Sequence, residues 1–559
     1  MNLLRLVHTV RHLRARQIAA QASHRVRRAI ENPSRVQRWK SPAFPGCRWR
    51  PVQSFLPPNP GRNSAEAIKA GTFVFLNHAH AAGFPPDWRA AGLPKLWRYN
   101  LHYHDFLWLL DNQDATSVAE NWIARHPPAR GAEGWESYPT SLRLMNWCML
   151  FWGRHRAKFD SDPKLAERIW RSIHQQAEWL SRHLETHLLG NHLLENAAAL
   201  ALVGSCFAGD AAAKWFSTGT DLLREQLAEQ ILPDGGHFER SPMYHSRVVY
   251  LLAMLKNSGD AALSELVGQP LAQSLAALKQ MCHPDGEIAL FNDSGFGIYP
   301  QLQDLAEYLN DGSPAPLGAF ALPDSGYFGA RTADGSYILC DAGAIGPDYL
   351  PGHAHGDMLS FELSLRGHRV IVDSGVYEYE PGAMRVYCRS TRAHNTVELL
   401  GQDQCEFWGA FRVAKRGRVR GISFLPSPGA FQLTAEHDGY ARSRKRLYHR
   451  RTFLWNQTGK LVISDFVTAR LESGTDFISR LHLHPDCVVT SFAGRSVHVR
   501  YPAGQFVIEF ENEGNVQIER SYYCPEFGQK LDNVVVAFSP TQSSTAMSGV
   551  VVRISPLSS

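Results

Sequence analysis

The chain has 559 residues, of which 44% are hydrophobic and 20% charged. This is ordinary globular composition, so wholesale disorder and collagen-like structure are excluded, and at roughly 100–200 residues per domain the length implies two to four domains. With 58 basic against 53 acidic residues, the formal charge of +5 gives no case for nucleic acid as a partner.

The first 28 residues carry seven arginines (Arg5, Arg11, Arg14, Arg16, Arg25, Arg27, Arg28), and no acid precedes Glu31. Leu3, Leu4, Leu6, Val7, Val10 and Leu13 can form one apolar stripe on a helix. Such a helix either lies on an anionic membrane surface, a possible peripheral contact, or docks on the body of the protein. The segment has no uninterrupted apolar core before a cleavage site, as a secretory signal would, and no stretch is long and apolar enough to span a bilayer. Nine scattered cysteines without a CxxC pair read as reduced thiols. These features favour a cytoplasmic location, with the periplasm as the alternative.

Residues 32–65 are rich in proline (Pro33, Pro42, Pro45, Pro51, Pro57, Pro58, Pro60) and read as an extended connection. From about 97 to 310 apolar residues recur at three- and four-residue spacing, as in LWRYNLHYHDFLWLLDN (96–112), SLRLMNWCMLFWGRH (141–155) and LLENAAALALVGSCF (193–207). Two similar turns, ILPDGG (231–236) and CHPDGE (282–287), close helices and suggest helical hairpins in a toroid or solenoid. After about 320, β-branched runs alternate between Gly, Asn and Pro turns, as in MLSFELSLRGHRVIVDSG (358–375) and RTFLWNQTGKLVISDFVTA (451–469). The expected division is 1–65 for the basic helix and connection, 66–315 for a helical domain and 316–559 for an antiparallel β-sandwich.

Three constellations can carry chemistry. In PGHAHGDMLSFELSLRGHRVIVDSG (351–375), His353 and His355 share a face of an extended segment, and a hairpin would return Asp373 beside them. With His394 as a third ligand, two imidazoles and a carboxylate suit zinc. HxH doublets also occur at His78–His80 and His482–His484, so the spacing alone is weak. In GNHLLENAAAL (190–200), Asn191, His192 and Glu195 sit where a loop enters a helix. Asn191 is open to the simpler role of N-cap. In LPDGGHFERSPMYHSRVVY (232–250), Glu239, Tyr244 and His245 follow a Gly-rich turn.

An amide and an imidazole that grip a carboxylate, a phenol and a second imidazole are what β-elimination from a uronic acid requires. Neutralising the carboxylate stabilises the charge that develops as the C5 proton leaves. A base takes that proton and an acid protonates the departing C4 oxygen. Tyrosine can share these tasks with histidine if the site shifts it downward. A hydrolase would offer two facing carboxylates, for which Glu195 and Glu239 are the candidates. A non-catalytic glycan-binding or exopolysaccharide-assembly protein is the third possibility.

WESYPTSLRLMNW (135–147), GNHLLENAAAL, DGGHFERSPMYH, GHAHGDMLSFEL with VDSGVYEY, and RSTRAHNTVEL follow one another in this order. Together they resemble the heparinase II/III-like polysaccharide lyases, which include alginate and oligoalginate lyases. The resemblance implies an incomplete (α/α) toroid followed by an antiparallel β-sandwich, and lyase activity on an anionic, uronate-containing polysaccharide. It implies that Asn191 and His192 neutralise the uronate. Tyr244 is then the acid, and the base for one C5 stereochemistry, with His353 the opposing base. His355, Asp373 and His394 would hold one structural zinc per chain. Glu136, Arg143, Glu195 and Glu239 are implied cleft residues, and Arg389 and Arg392 could meet anionic sugar groups. Arg240 stands where a neutral polar residue is more usual and could adjust selectivity. The basic start and the LWRYNLHYHDFL opening (96–107) look more like members associated with bacterial capsule or exopolysaccharide. Oligomeric state is left open.

Overall fold

The computed structural model describes residues 3–31, 36, 39–59, 61–129, 131–441, 447–467, 477–541 and 548–557. Pro33, Pro60 and positions 468–469 of the expected strand lie outside the described residues.

The arginine-rich start forms two helices, Leu3–Val10 and Ala15–Ile30, where the stripe suggested one. Between Lys95–Tyr103 and Ala261–Met281 the chain is mainly helical. The starts of its helices are encoded locally. Asp162, Ser241 and Asp260 accept the backbone N–H three residues on, and proline follows Asp162 and Ser241 directly. Gly190–Cys206 is buried along nearly all its length, so its sequence lacks a polar face. It packs closely on Asp210–Gln230. A Cβ on Gly219 would fall 2.3 Å from the backbone N of Ala201, so a side chain there would force the helices apart. Each of the two similar turns follows a 21-residue helix and closes with an isolated bridge, Ile231 to His237 and Cys282 to Ile288.

Two expected helices are interrupted. Residues 96–112 split at His104, whose left-handed backbone (φ 65°) leads into a 3₁₀ turn, Asp105–Leu109. Asp111 then caps the next helix, Asn112–Arg125. Residues 141–155 leave the helix Ser137–Trp147 through a wide π turn, Cys148–Arg154.

The last helix of this half is Leu302–Tyr308, and antiparallel sheet begins at Gly318–Leu322. A five-stranded meander runs to His368–Ile371. An eight-stranded and a four-stranded sheet follow, and one apolar core joins residues of all three sheets. The strands His449–Trp455 and Leu461–Val467 alternate buried and more exposed residues, as a sheet with one covered face must.

Two inward positions of this pair are charged. Arg451 and Asp465 face each other in register, with Nη2 donating to Oδ2 at 2.9 Å. Arg451 Nη1 also reaches the carbonyls of Leu359 (2.7 Å) and Asn395 (2.6 Å), next to the candidate metal residues. Burial alone would raise the Asp465 carboxyl, but Arg451 and His449 outweigh it and hold it down at about 2. A depressed carboxyl stabilises the fold above its unfolded pKa and loses that contribution as pH falls toward the folded value; here that is about 2 kcal/mol. Asp465→Asn, which strands the Arg451 charge, should cost about 3–5 kcal/mol in denaturant unfolding at neutral pH. It should also flatten the acid limb of the stability profile.

Candidate active site

A cavity of about 450 Å³ lies between the helical and sheet halves. The helical half contributes Asn191, His192 and Tyr244 to its wall, and the sheet half contributes His353, Tyr379 and Phe411. Sequence reasoning selected the first three and His353 from segments up to 162 residues apart, and the fold brings all four to one space.

Asn191 is not the N-cap. That position is Leu189, held at φ 67°, with Gly190 at φ 59° behind it. A Cβ on Gly190 would fall 2.4 Å from Glu239 Oε1 and 2.3 Å from Leu350, so only glycine fits this entry. The Asn191 backbone N–H donates to Glu239 Oε1 (3.1 Å), which places the carboxyl at the helix N-terminus. Its side-chain amide makes no hydrogen bond among the described residues and is left for a ligand. His192 Nδ1 lies 3.1 Å from Glu185 Oε1, and its ring lies 4.5 Å from that of Tyr138. Burial pulls this imidazole down, but Glu185, Glu239 and Glu195 outweigh it and hold it above its ordinary range. An imidazole biased toward its charged form beside a neutral amide suits a carboxylate.

Tyr244 lies in the first turn of the helix Pro242–Asn257, with its hydroxyl 3.0 Å from that of Tyr379. Burial, reinforced by Tyr379 and other neighbours, pushes the phenol well above its ordinary range. The sequence reading allowed for a downward shift; the shift runs the other way, because burial of the hydroxyl dominates and its neighbours Tyr379 and Asp293 add to it. The His353 ring lies 4.1 Å from the Tyr244 ring. His353 Nδ1 lies 2.9 Å from Asp293 Oδ2. Burial would raise Asp293, but Arg385, His353 and His355 outweigh it, so this carboxylate is ionised. Nδ1–H therefore donates to Asp293 and leaves the Nε2 lone pair free.

Other expected residues stand elsewhere. Arg143 is fully buried and donates to Gln176 (2.8 Å) and the His102 carbonyl (3.1 Å), so it braces the helical core and does not reach the cavity. Glu195 faces Arg247 (Nη2 to Oε2, 2.7 Å) in a buried pair, although it lies one turn from His192. Glu136 pairs with Lys95 (3.0 Å) and accepts from the Tyr99 hydroxyl. Glu239 is buried behind the wall, 3.6 Å from His353 Nε2, and burial pushes its carboxyl up. Arg389 is buried and holds the carbonyls of Ala354 (3.1 Å) and Ala410 (3.0 Å). Arg392 is exposed and away from the cavity wall. Arg240 grips the Ser325 and Asp324 carbonyls, each at 2.9 Å, and so joins the two halves instead of selecting a sugar.

The expected metal residues are all buried. They stand as two hydrogen-bonded pairs, His355 Nε2 with Asp293 (2.9 Å) and His394 Nδ1 with Asp373 (2.7 Å). Among the described residues no group of three or more His, Cys, Asp or Glu side chains stands in a metal-holding arrangement. Yet His355 Nδ1 and His394 Nε2 are buried without partners, and the two rings lie 5.4 Å apart. Two orphaned imidazole nitrogens and a neighbouring carboxylate are the donor chemistry zinc takes. His78–His80, by contrast, lies on a small hairpin, and His482 is spent on the Arg392 carbonyl (3.1 Å).

Residues 113–308 match the family described as Heparinase II/III N-terminus, and residues 314–548 match Heparinase II/III-like, C-terminal. The chain belongs to the heparinase II/III-like family. The heparin-sulfate lyase of Pedobacter heparinus is 27% identical over 271 residues, 43% of this chain and 40% of that protein. FtsZ-localized protein C of Caulobacter vibrioides is 27% identical over 373 residues, 61% of each chain. The chain thus spans between 40% and 61% of the length of the curated relatives it matches. Among solved structures, a heparinase III superposes with a TM-score of 0.71 at 17% identity, covering 94% of this chain and 88% of that one. A mutant heparan sulfate lyase HepC from Pedobacter heparinus gives 0.63 at 18%, covering 97% and 88%. These likenesses place the helical first half and antiparallel second half within the heparinase II/III-like fold.

In this family member sequence reasoning missed Asp293 and Arg385. The two form a buried bidentate pair (Nη2 to Oδ2, 2.9 Å), and Asp293 also receives both histidines of HAH. The visible signal was FNDSG (291–295), a turn whose Asn292 takes φ 56° and donates to the Arg240 carbonyl at 2.8 Å.

Proposed function

We propose that this chain is a polysaccharide lyase acting by β-elimination on a uronate-containing glycan. The observation that carries the reading is the convergence of Asn191, His192, Tyr244 and His353 on one cavity. In this reading Asn191 and His192 hold the uronate carboxylate. His353 Nε2 removes the C5 proton, and the Tyr244 phenol protonates the C4 oxygen as its bond to C4 breaks. A phenol held above its ordinary range stays protonated and so enters the reaction as the proton donor, and proton abstraction falls to His353. Hydrolysis finds less support, because Glu195 is locked to Arg247 and Glu239 is buried behind the wall, which takes both candidate carboxylates out of the cavity. On this reading the helical half closes as an incomplete (α/α) toroid and the sheets stack as a sandwich.

The wall also bears on the substrate's charge. Its two permanent cations, Lys95 and Arg247, are each neutralised by an acid of the protein, Glu136 and Glu195. The rest holds two acids, Asp105 and Glu380, and is otherwise mostly apolar and aromatic, with Tyr99, Tyr299 and Phe527 among it. Such a wall suits a polymer whose principal anion is the carboxylate, without dense sulfation. The test is ultraviolet absorbance after incubation with heparosan, hyaluronan, alginate and heparin. An unsaturated uronate product from the unsulfated polymers is expected. Reducing ends formed without that absorbance would mean hydrolysis.

We also propose one structural zinc held by His355, Asp373 and His394. Bound there, the ion would tie the segment carrying His353 to the sheet. Elemental analysis of purified protein should find about one zinc per chain, and H355A/D373A should lose it and melt at a lower temperature. Undiminished zinc in that variant would exclude these ligands.

A further inference from the structure

The N-terminal arm docks with its polar face and leaves its apolar face outside. In Leu3–Val10 no residue is buried. Arg5 Nε donates to Glu406 at 2.9 Å, and Thr9 Oγ1 accepts from Trp408 Nε1 at 3.0 Å. At 3.6 residues per turn, Arg5 and Thr9 share one side, and Leu3, Val7 and Val10 lie opposite. Those three are 72%, 53% and 39% exposed. Ala15–Ile30 repeats the inversion. Gln17 is buried, Arg16 pairs with Glu225 (3.0 Å) and Glu229 (3.2 Å), while Ile18, Val26 and Ile30 are exposed. A helix that serves only to pack on its own protein turns its apolar stripe inward.

The charge around this stripe has one sign. No acid precedes Glu31, and Arg11, Arg25 and Arg28 are exposed with no carboxylate partner among the described residues. Apolar residues interleaved with unpaired arginines complement a surface with an apolar interior and an anionic rim. A second copy of the arm would bring the same arginines face to face, which disfavours self-association. We propose that this arm is a membrane-docking surface whose partner is an anionic lipid bilayer. Its outward apolar residues enter the interfacial layer, and Arg11, Arg25 and Arg28 meet lipid phosphates. The interaction is peripheral, since no described helix is long and apolar enough to cross a membrane. It stands independently of the lyase reading.

The test is co-sedimentation of the full chain with phosphatidylcholine vesicles, with and without phosphatidylglycerol. Binding to the anionic vesicles and release by salt are expected. Leu3→Asp with Val7→Asp should weaken binding by roughly tenfold or more, with the melting curve unchanged because both side chains already face water. Arg25→Ala with Arg28→Ala should remove the preference for anionic lipid while keeping the fold. The proposal is overturned if the wild type stays in the supernatant with anionic vesicles. It is equally overturned if L3D/V7D sediments like the wild type, or if the arm instead mediates lipid-independent association between copies or with an acidic protein.

Discussion

Tyr244→Phe is expected to lower the rate of elimination by roughly 10²–10⁴-fold while KM stays close to the wild-type value. The substitution removes one oxygen and keeps the ring that packs 4.1 Å from His353. Among the described residues the hydroxyl touches only that of Tyr379 (3.0 Å), so the fold loses one hydrogen bond worth about 1 kcal/mol. The lost group is the protonated phenol, kept protonated because burial and Tyr379 raise it. Without it the C4 oxygen must leave as an alkoxide or wait for water. Initial rates by ultraviolet absorbance and substrate affinity by calorimetry separate the two parameters. A variant with undiminished turnover would remove Tyr244 from the reaction, and one that no longer binds would make it a binding residue.

The helical half was legible because its caps and spacing are local. Asp162–Pro163, Ser241–Pro242 and Asp260 announce helix starts within three residues. The interruption at His104 was not legible, because nothing in HYHDF marks a left-handed residue there. The strands of the second half alternate clearly in Leu461–Val467 but not in Phe361–Leu365, which is buried on both faces and so has no polar period. The residues with unusual company in sequence (Asn191 beside His192, His353 in HAH) converge on one cavity. Those whose role is set by a distant partner were misjudged. Arg143, Glu195 and Arg389 look like cleft residues because they are charged, yet each is spent on a buried contact that its neighbours in sequence do not reveal. Asp293 escaped notice for the same reason, since its partners lie 60, 62 and 92 residues away.

Asp293→Asn is the second substitution with a large expected effect, and it acts on stability and turnover together. Both Asp293 oxygens accept from Arg385, and each also takes one histidine nitrogen, His355 on Oδ1 and His353 on Oδ2. An amide has one oxygen, so one of these positions becomes an NH₂ facing a guanidinium N–H. The buried Arg385 cation then lacks its counter-charge, which should cost about 3–5 kcal/mol in denaturant unfolding. With its oxygen in the Oδ1 position, accepting from Arg385 Nη1 and His355, the amide sets its NH₂ against His353 Nδ1. His353 must then accept at Nδ1 and carry its proton on Nε2, the nitrogen that should remove the C5 proton. Turnover should fall by roughly 10²–10⁴-fold even in the folded fraction, because the base is in the wrong tautomer. Arg385→Met in the Asp293→Asn background removes the stranded cation and should recover part of the stability without recovering the rate. If stability and rate returned together, Asp293 would be bracing the loop and nothing more. If only stability returned, orientation of His353 is its second task.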